Sequence, residues 1–245
     1  MKTFLTTLPI AHRGLHDETR PENGISAFRA AIEHGFAIEM DVRFTKDRRL
    51  VVFHDDSLKR MTGDDRLVID CTFEELLSLR LEGSDERIPL FQDFLVEIGG
   101  RVPLLIEIKS MAGVKPEEIA TALAEALKDY AGEYAIQSFQ PFYVKAFKKL
   151  RPDIPCGLLS SGKFSKRDFD NSPLWRIKAS LISNLRLNST VKPDFISYHF
   201  KDYPRRCTNK FKGPKLGWTI RSAADEAYAR KYCDNIIFEN YLPER

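Results

Sequence analysis

Apolar residues in this chain come in short unbroken runs, and stretches with helical spacing lie between them. The runs fall at residues 8–11, 36–42, 102–108, 134–136, 154–159, 195–198, 215–220 and 235–238. Continuous runs of this length suit strands buried on both faces, as in a parallel sheet covered by helices. The helical stretches fall at 24–34, 91–98, 116–130, 141–150 and 223–232. Asn23 stands at an N-cap position, ahead of Ile25, Phe28, Ala31 and Ile32 on one face. Pro116 reads as a first helical residue, and Glu117 and Glu118 after it suit the positive end of the helix dipole.

Strand and helix alternating through 245 residues predict a (β/α)8 TIM barrel forming one domain, residues 1–245, with a doubly wound open sheet as the other candidate. Two stretches break the rhythm: 49–53 reads as an extra short strand, and 55–90 as a small insertion after the second strand. Residues 161–190 are expected to hold an irregular helix.

Charge changes the picture little. The chain has 38 Lys and Arg against 35 Asp and Glu, a net charge of +3. A dedicated nucleic-acid binder carries a stronger basic bias. The stretch 201–215 holds six Lys or Arg and is expected to be a solvated face or a guide for anions. Cys71, Cys156, Cys207 and Cys233 are far apart without a C-x-x-C pair, so they are expected to be reduced thiols. No apolar run is long enough for a membrane-spanning helix, and the first ten residues lack a cleavage signal, so a cytoplasmic location is expected.

The chemistry concentrates where apolar runs end. The first ends Ala11-His12-Arg13-Gly14, the second contains Glu39-Met40-Asp41-Val42-Arg43, and the third closes Glu107-Ile108-Lys109. Strand side chains alternate faces, so Glu39 and Asp41 share one face of their strand, as do Glu107 and Lys109 of theirs. In a parallel barrel these positions lie at the C-terminal rim, where active sites of this fold are built. Three converging carboxylates repel one another unless a cation compensates, and an all-oxygen set suits Mg²⁺ or Ca²⁺. The alternative is that the acids pair with Arg13, Arg43 and Lys109 and only brace the barrel. His12 and His54 end strands beside this set and are candidates for general base and general acid, in either order. His16, His34 and His199 are expected to be structural. Phe139, Tyr198 and Trp218 are candidates for an apolar wall at the rim, with Phe139 and Trp218 as possible substrate-pocket residues.

Taken together, Ala11-His12-Arg13-Gly14, Pro21-Glu22-Asn23, Glu39-Met40-Asp41-Val42 and Val52-Phe53-His54-Asp55 resemble the glycerophosphodiester phosphodiesterase family. Thr72, Glu75, Leu76 and Leu79 resemble its T-x-x-E-L-x-x-L element, and Gln137-Ser138-Phe139 and Trp218-Thr219-Ile220 its later motifs. The resemblance implies a TIM barrel, one divalent cation, and hydrolysis of glycerophosphodiesters to glycerol 3-phosphate and an alcohol. It implies Glu39, Asp41 and Glu107 as metal ligands, His12 and His54 as the acid–base pair, and Arg13 and Lys109 as cations that neutralise phosphate. The partner is then a small molecule, with no nucleic acid and no stable membrane insertion. A related phospholipase D-type enzyme acting on lysophospholipids would share these residues and differ by an exposed apolar rim. A non-catalytic binding protein should have lost at least one of them. The chain departs from the family late, at Arg221, where Asn is common, and where its last strand ends Phe238-Glu239-Asn240, where a Thr-Asp pair before Pro is usual. These departures are expected to bear on substrate preference more than on the reaction.

Overall fold

Two residues close the barrel. In the computed structural model, which describes residues 3–169 and 171–243, β1 (Ile10–Ala11) pairs in parallel with both β2 (Ala37–Phe44) and β9 (Asn235–Phe238). The other strands are β3 (Leu50–Val52), β4 (Leu104–Ile108), β5 (Tyr134–Ser138), β6 (Cys156–Ser160), β7 (Phe195–His199) and β8 (Lys215–Ile220). All but β3 are parallel, and they run β1-β2-β4-β5-β6-β7-β8-β9 and back to β1. This is the expected eight-stranded (β/α)8 barrel, and its closure excludes the open sheet. β3 is the extra strand near 49–53, antiparallel to β2 with Val42 opposite Val52.

Inside and outside follow the two-residue period of the strands. One set of positions, Ile38, Met40, Val42, Leu104, Ile106, Ile136 and Ile196, packs outward in the large cluster shared with the helices. The alternate set, Ile10, Ala37, Leu105, Ala135, Phe195, Leu216 and Ile237, forms a separate interior cluster. The N-terminal Phe4 and Leu5 join it, and Asn235 Nδ2 donates to the carbonyls of Phe4 and Leu8. Space inside is tight: a Cβ on Gly157 would lie 2.3 Å from the Phe195 ring. Two residues further along the same faces come Glu39, Glu107 and Gln137. The barrel interior is therefore apolar at one end and polar at the other.

The helices Ile25–Glu33, Phe91–Ile98, Pro116–Ala126, Pro141–Leu150 and Ala223–Ala229 occupy the expected stretches, three of them ending earlier than expected. Pro116 begins its helix as predicted. The irregular region holds a 3₁₀ turn, Arg167–Phe169, and helices Trp175–Ser183 and Asn188–Val191. Asn23 is not an N-cap. Gly24 holds that position, and Asn23 sits in the left-handed region with its side chain turned to Asp41.

Residues 55–90 pack around a small cluster of their own, with Leu58, Met61, Val68, Leu76 and Ile88 against Val51 and Phe53. The Thr72–Glu75 capping box starts one short helix there. Polar ties bind this segment to the barrel, including Lys46 N–H to the Cys71 carbonyl (2.7 Å) and Glu86 to Ser26. The four cysteines are free thiols, as expected.

Candidate active site

The turn after β1 is shaped by backbone. Arg13 and Gly14 both have positive φ, 55° and 81°. Gly14 is also crowded: a Cβ there would lie 2.9 Å from the Ala27 carbonyl carbon. This conformation aims the Arg13 N–H at Glu39 Oε2 (3.1 Å), while the Arg13 carbonyl accepts from Asn23 N–H (3.0 Å). The Arg-Gly pair is thus a device that turns a main-chain donor onto a carboxylate.

Asp41 and Glu107 are cross-strand partners, and Glu39 lies one inward-facing position before Asp41. All three are buried, and each offers an oxygen within 4.8 Å of the others. Burial, then repulsion from Asp41 and Glu107, pushes the Glu39 carboxyl well above its ordinary range. Burial would raise Asp41 too, but Lys109, His54 and Arg13 outweigh it and hold that carboxyl below the usual range. Asp41 Oδ1 is buried and accepts no hydrogen bond among the described residues; Lys109 Nζ is 3.5 Å away. A buried acceptor without a donor, in a set of three acids, fits one hard divalent cation.

Two side chains that the sequence analysis did not assign to the site orient these acids. Asn23 Nδ2 donates to Asp41 Oδ2 (2.9 Å), and its Oδ1 accepts from the Asp41 N–H (3.3 Å). Gln137 Nε2 donates to Glu39 Oε1 (3.4 Å), and its own Oε1 accepts from Ser197 Oγ (2.7 Å). Both sit in motifs already noted, and an inward-facing Gln beside a Glu was the available signal.

Each histidine is backed by a carboxylate. His54 Nδ1 meets Asp55 Oδ1 at 2.6 Å, and Arg60 Nε donates to Asp55 Oδ2 (2.7 Å). Arg60 also holds Glu22, which in turn accepts from Arg13 Nη1 (2.8 Å). Across the site, His12 Nδ1 meets Glu239 Oε2, and Arg221 Nε donates to Glu239 Oε1 (2.6 Å). His16, expected to be merely structural, brings Nε2 to 3.7 Å from the same carboxylate. Burial lowers the His12 pKa to about 4. For Glu239, burial is outweighed by His12, His16 and Arg221, which hold it below the carboxylate range. The other two histidines lie apart: His34 Nδ1 is bound to the Ala30 carbonyl (2.9 Å), and His199 faces Asp202 and Trp218.

These groups converge on a cavity of about 200 Å³ whose walls include His12, Arg13, His54, Glu107, Lys109 and Trp218. Lys109 Nζ lies 2.7 Å from Glu107. Phe139 shares the wall with Trp218, the two rings meeting edge to face at 5.6 Å. Tyr198, expected beside them, is instead fully buried outside the cavity, its hydroxyl donating to the Ser183 carbonyl (2.8 Å). Arg43 does not pair with the triad; it donates to the His54 carbonyl (2.8 and 2.6 Å) and to Asp56. Wider hollows of about 790 and 900 Å³ lie elsewhere and hold none of the triad, so chemistry rather than size marks the site.

Residues 12–197 match the glycerophosphoryl diester phosphodiesterase family. The chain is 39% identical over 165 residues to the glycerophosphodiester phosphodiesterase of Caldanaerobacter subterraneus subsp. tengcongensis, covering 63% of this chain and 67% of that one. It is 33% identical over 138 residues to the human lysophospholipase D GDPD1, covering 51% of this chain and 42% of that one. In structure it is similar to an Oleispira antarctica phosphodiesterase solved with its product sn-glycerol-3-phosphate, with TM-score 0.79, 25% identity, and coverage of 98% and 96% of the two chains. A barrel with a buried acid triad at one rim, and a match over most of its length, make this chain a member of the glycerophosphoryl diester phosphodiesterase family.

Proposed function

We propose that this protein hydrolyses glycerophosphodiesters to glycerol 3-phosphate and an alcohol, using one divalent cation, Mg²⁺ or Ca²⁺, and the side chains of His12 and His54. The observation that carries this reading is the convergence of three buried acids and two carboxylate-backed histidines on one small cavity. Glu39, Asp41 and Glu107 would hold the cation. When bound, it supplies Lewis-acid polarisation of the phosphoryl oxygens.

The remaining work falls to the chain. A phosphodiester is an anion with a poor alkoxide leaving group, so charge must be neutralised and a proton delivered. Arg13 and Lys109, both on the cavity wall, would clamp the non-bridging oxygens. With Nδ1 of each ring tied to a carboxylate, Nε2 is left for the reaction. One histidine takes the proton of the nucleophile, either water or the substrate's neighbouring glycerol hydroxyl (water then opening the cyclic ester), and the other gives a proton to the departing oxygen. We take residues 1–245 as one barrel domain in which segment 55–90 borders the cleft, since Asp55, which backs His54, and Arg60 come from its start.

Lysophospholipids form a second reading, supported by an apolar rim that the composition did not suggest. Phe139 meets Phe164 edge-on (6.2 Å), and Phe164 meets Phe169 (5.5 Å). Nearby on the chain, Leu174 and Ile177 stand 56% and 60% exposed. Release of glycerol 3-phosphate from a panel of glycerophosphodiesters, with and without chelator, tests the first reading; a lysophospholipid in the same panel tests the second. No release from any diester in the presence of Mg²⁺ or Ca²⁺ would overturn the proposal.

A further inference from the structure

The seam that closes the barrel carries a row of charged groups. Ala11 is the register partner of Phe238, and the His12 N–H donates to the Phe238 carbonyl (2.9 Å), so His12 and Glu239 emerge side by side from β1 and β9. On the other side of β9, the Glu239 N–H donates to the Ile220 carbonyl (2.9 Å), which sets Arg221 next to Glu239. His12, Glu239 and Arg221 are therefore neighbours along the rim because of strand register alone.

The side chains use this placement. Glu239 is 9% exposed and spends both oxygens on it: Oε2 meets His12 Nδ1, and Oε1 accepts from Arg221 Nε (2.6 Å) and lies 2.6 Å from Arg221 Nη2. An ionised carboxylate only accepts, so its partner Nδ1 must carry the proton. That tautomer puts the lone pair on Nε2, which points to the acid triad, 3.9 Å from Glu39 Oε2. Arg221 is 60% exposed and touches no part of the triad among the described residues, so its effect on the site runs through Glu239. Across the cavity, His54, Asp55 and Arg60 repeat the same order of imidazole, carboxylate and guanidinium.

We infer that Glu239 is a positioning residue for His12, and that Arg221 holds Glu239 in place for that task. Glu239 and Arg221 thus form one device. A buried glutamate here without the arginine would lose the cation that Oε1 is paired with and keep its charge away from solvent. The device ties the rim ends of β1, β8 and β9 together and fixes which ring nitrogen of His12 is available. This rests on the phosphodiesterase reading for its consequence, though the ring tautomer can be observed without turnover.

The test uses the full chain as wild type, Glu239→Ala, Glu239→Gln and Arg221→Ala. In protein carrying ¹⁵N-labelled histidine, wild-type His12 should show a protonated Nδ1 and an unprotonated Nε2. Glu239→Ala should lose that preference, whereas Glu239→Gln, which keeps an acceptor oxygen, should restore it. With substrate and metal saturating, kcat should fall about 10–100-fold in Glu239→Ala, recover partly in Glu239→Gln, and fall less in Arg221→Ala. KM and the metal dissociation constant should change by no more than about threefold. Two results would overturn the inference: a His12 tautomer unchanged in Glu239→Ala, or a loss of kcat matched by equal losses in metal affinity and melting temperature. If the wild type turns over no diester, the functional reading fails and the tautomer measurement still decides the role of Glu239.

Discussion

Asp41 and Glu107 face each other across the β2–β4 ladder, and Lys109 Nζ sits between them, 3.5 Å from the first and 2.7 Å from the second. Like charges directly opposite on neighbouring strands destabilise a sheet. Lys109 therefore offsets in part a repulsion that a divalent cation would offset more fully. Addition of Mg²⁺ or Ca²⁺ is expected to raise the melting temperature of the wild type by mass action on the folded state. Glu107→Gln and Glu39→Gln should bind the ion more weakly and lose most of that shift. Calorimetric titration with each metal measures this, and unchanged affinity in both variants would remove the triad from the metal site.

Asn23 holds Asp41 through two hydrogen bonds and itself has φ 56°. Glycine accepts that backbone without strain, so Asn23→Gly removes the side chain alone. Metal affinity should drop about 10–100-fold, the usual effect of losing a partner that orients a ligand. The circular dichroism spectrum should stay that of the wild type.

His54 is not among the three clustered acids, and its Nδ1 is engaged by Asp55. His54→Ala should bind metal nearly as the wild type does while turnover drops about 10²–10⁴-fold. If His54→Ala abolished metal binding and Glu107→Gln left it intact, the assigned roles would be exchanged.

Arg43 anchors the backbone that carries His54, with two hydrogen bonds to the His54 carbonyl and a third to Ser110. Arg43→Met keeps much of the side-chain volume but leaves those acceptors unsatisfied. A stability loss of about 2–3 kcal/mol is expected from urea unfolding, in line with hydrogen bonds to a charged group. Turnover should fall as well, since His54 loses its support.

The metal-free protein should be sensitive to mild acid. His12 has its pKa lowered to about 4, mainly by burial, against an ordinary value of 6.5. Between these values the unfolded chain takes up a proton that the folded ring refuses, so stability falls as pH drops from 6.5 towards 4. Above 6.5 this contribution is constant. In His12→Asn the slope of stability against pH should be shallower in that window, as urea melts at successive pH values would record.

The order of elements was legible in the chain because the physics behind it is local. Runs such as 102–108 and 235–238 are apolar on both faces, so only a sheet covered by helices accommodates them. Glu39 and Asp41 lie two residues apart on one strand, which assigns them to one face before any neighbour is known. Asn23 shows where such reasoning stops: its type and place suit a helix cap, yet the left-handed turn at Arg13 and Asn23 sends its side chain to Asp41. Tyr198 shows the same for burial, since only the closed barrel decides which face of β7 looks inward. The bond between His12 and Glu239 joins residues 227 apart in the chain. No periodicity or spacing encodes it. It exists because β1 and β9 pair to close the barrel, and strand register then places these two side chains next to each other.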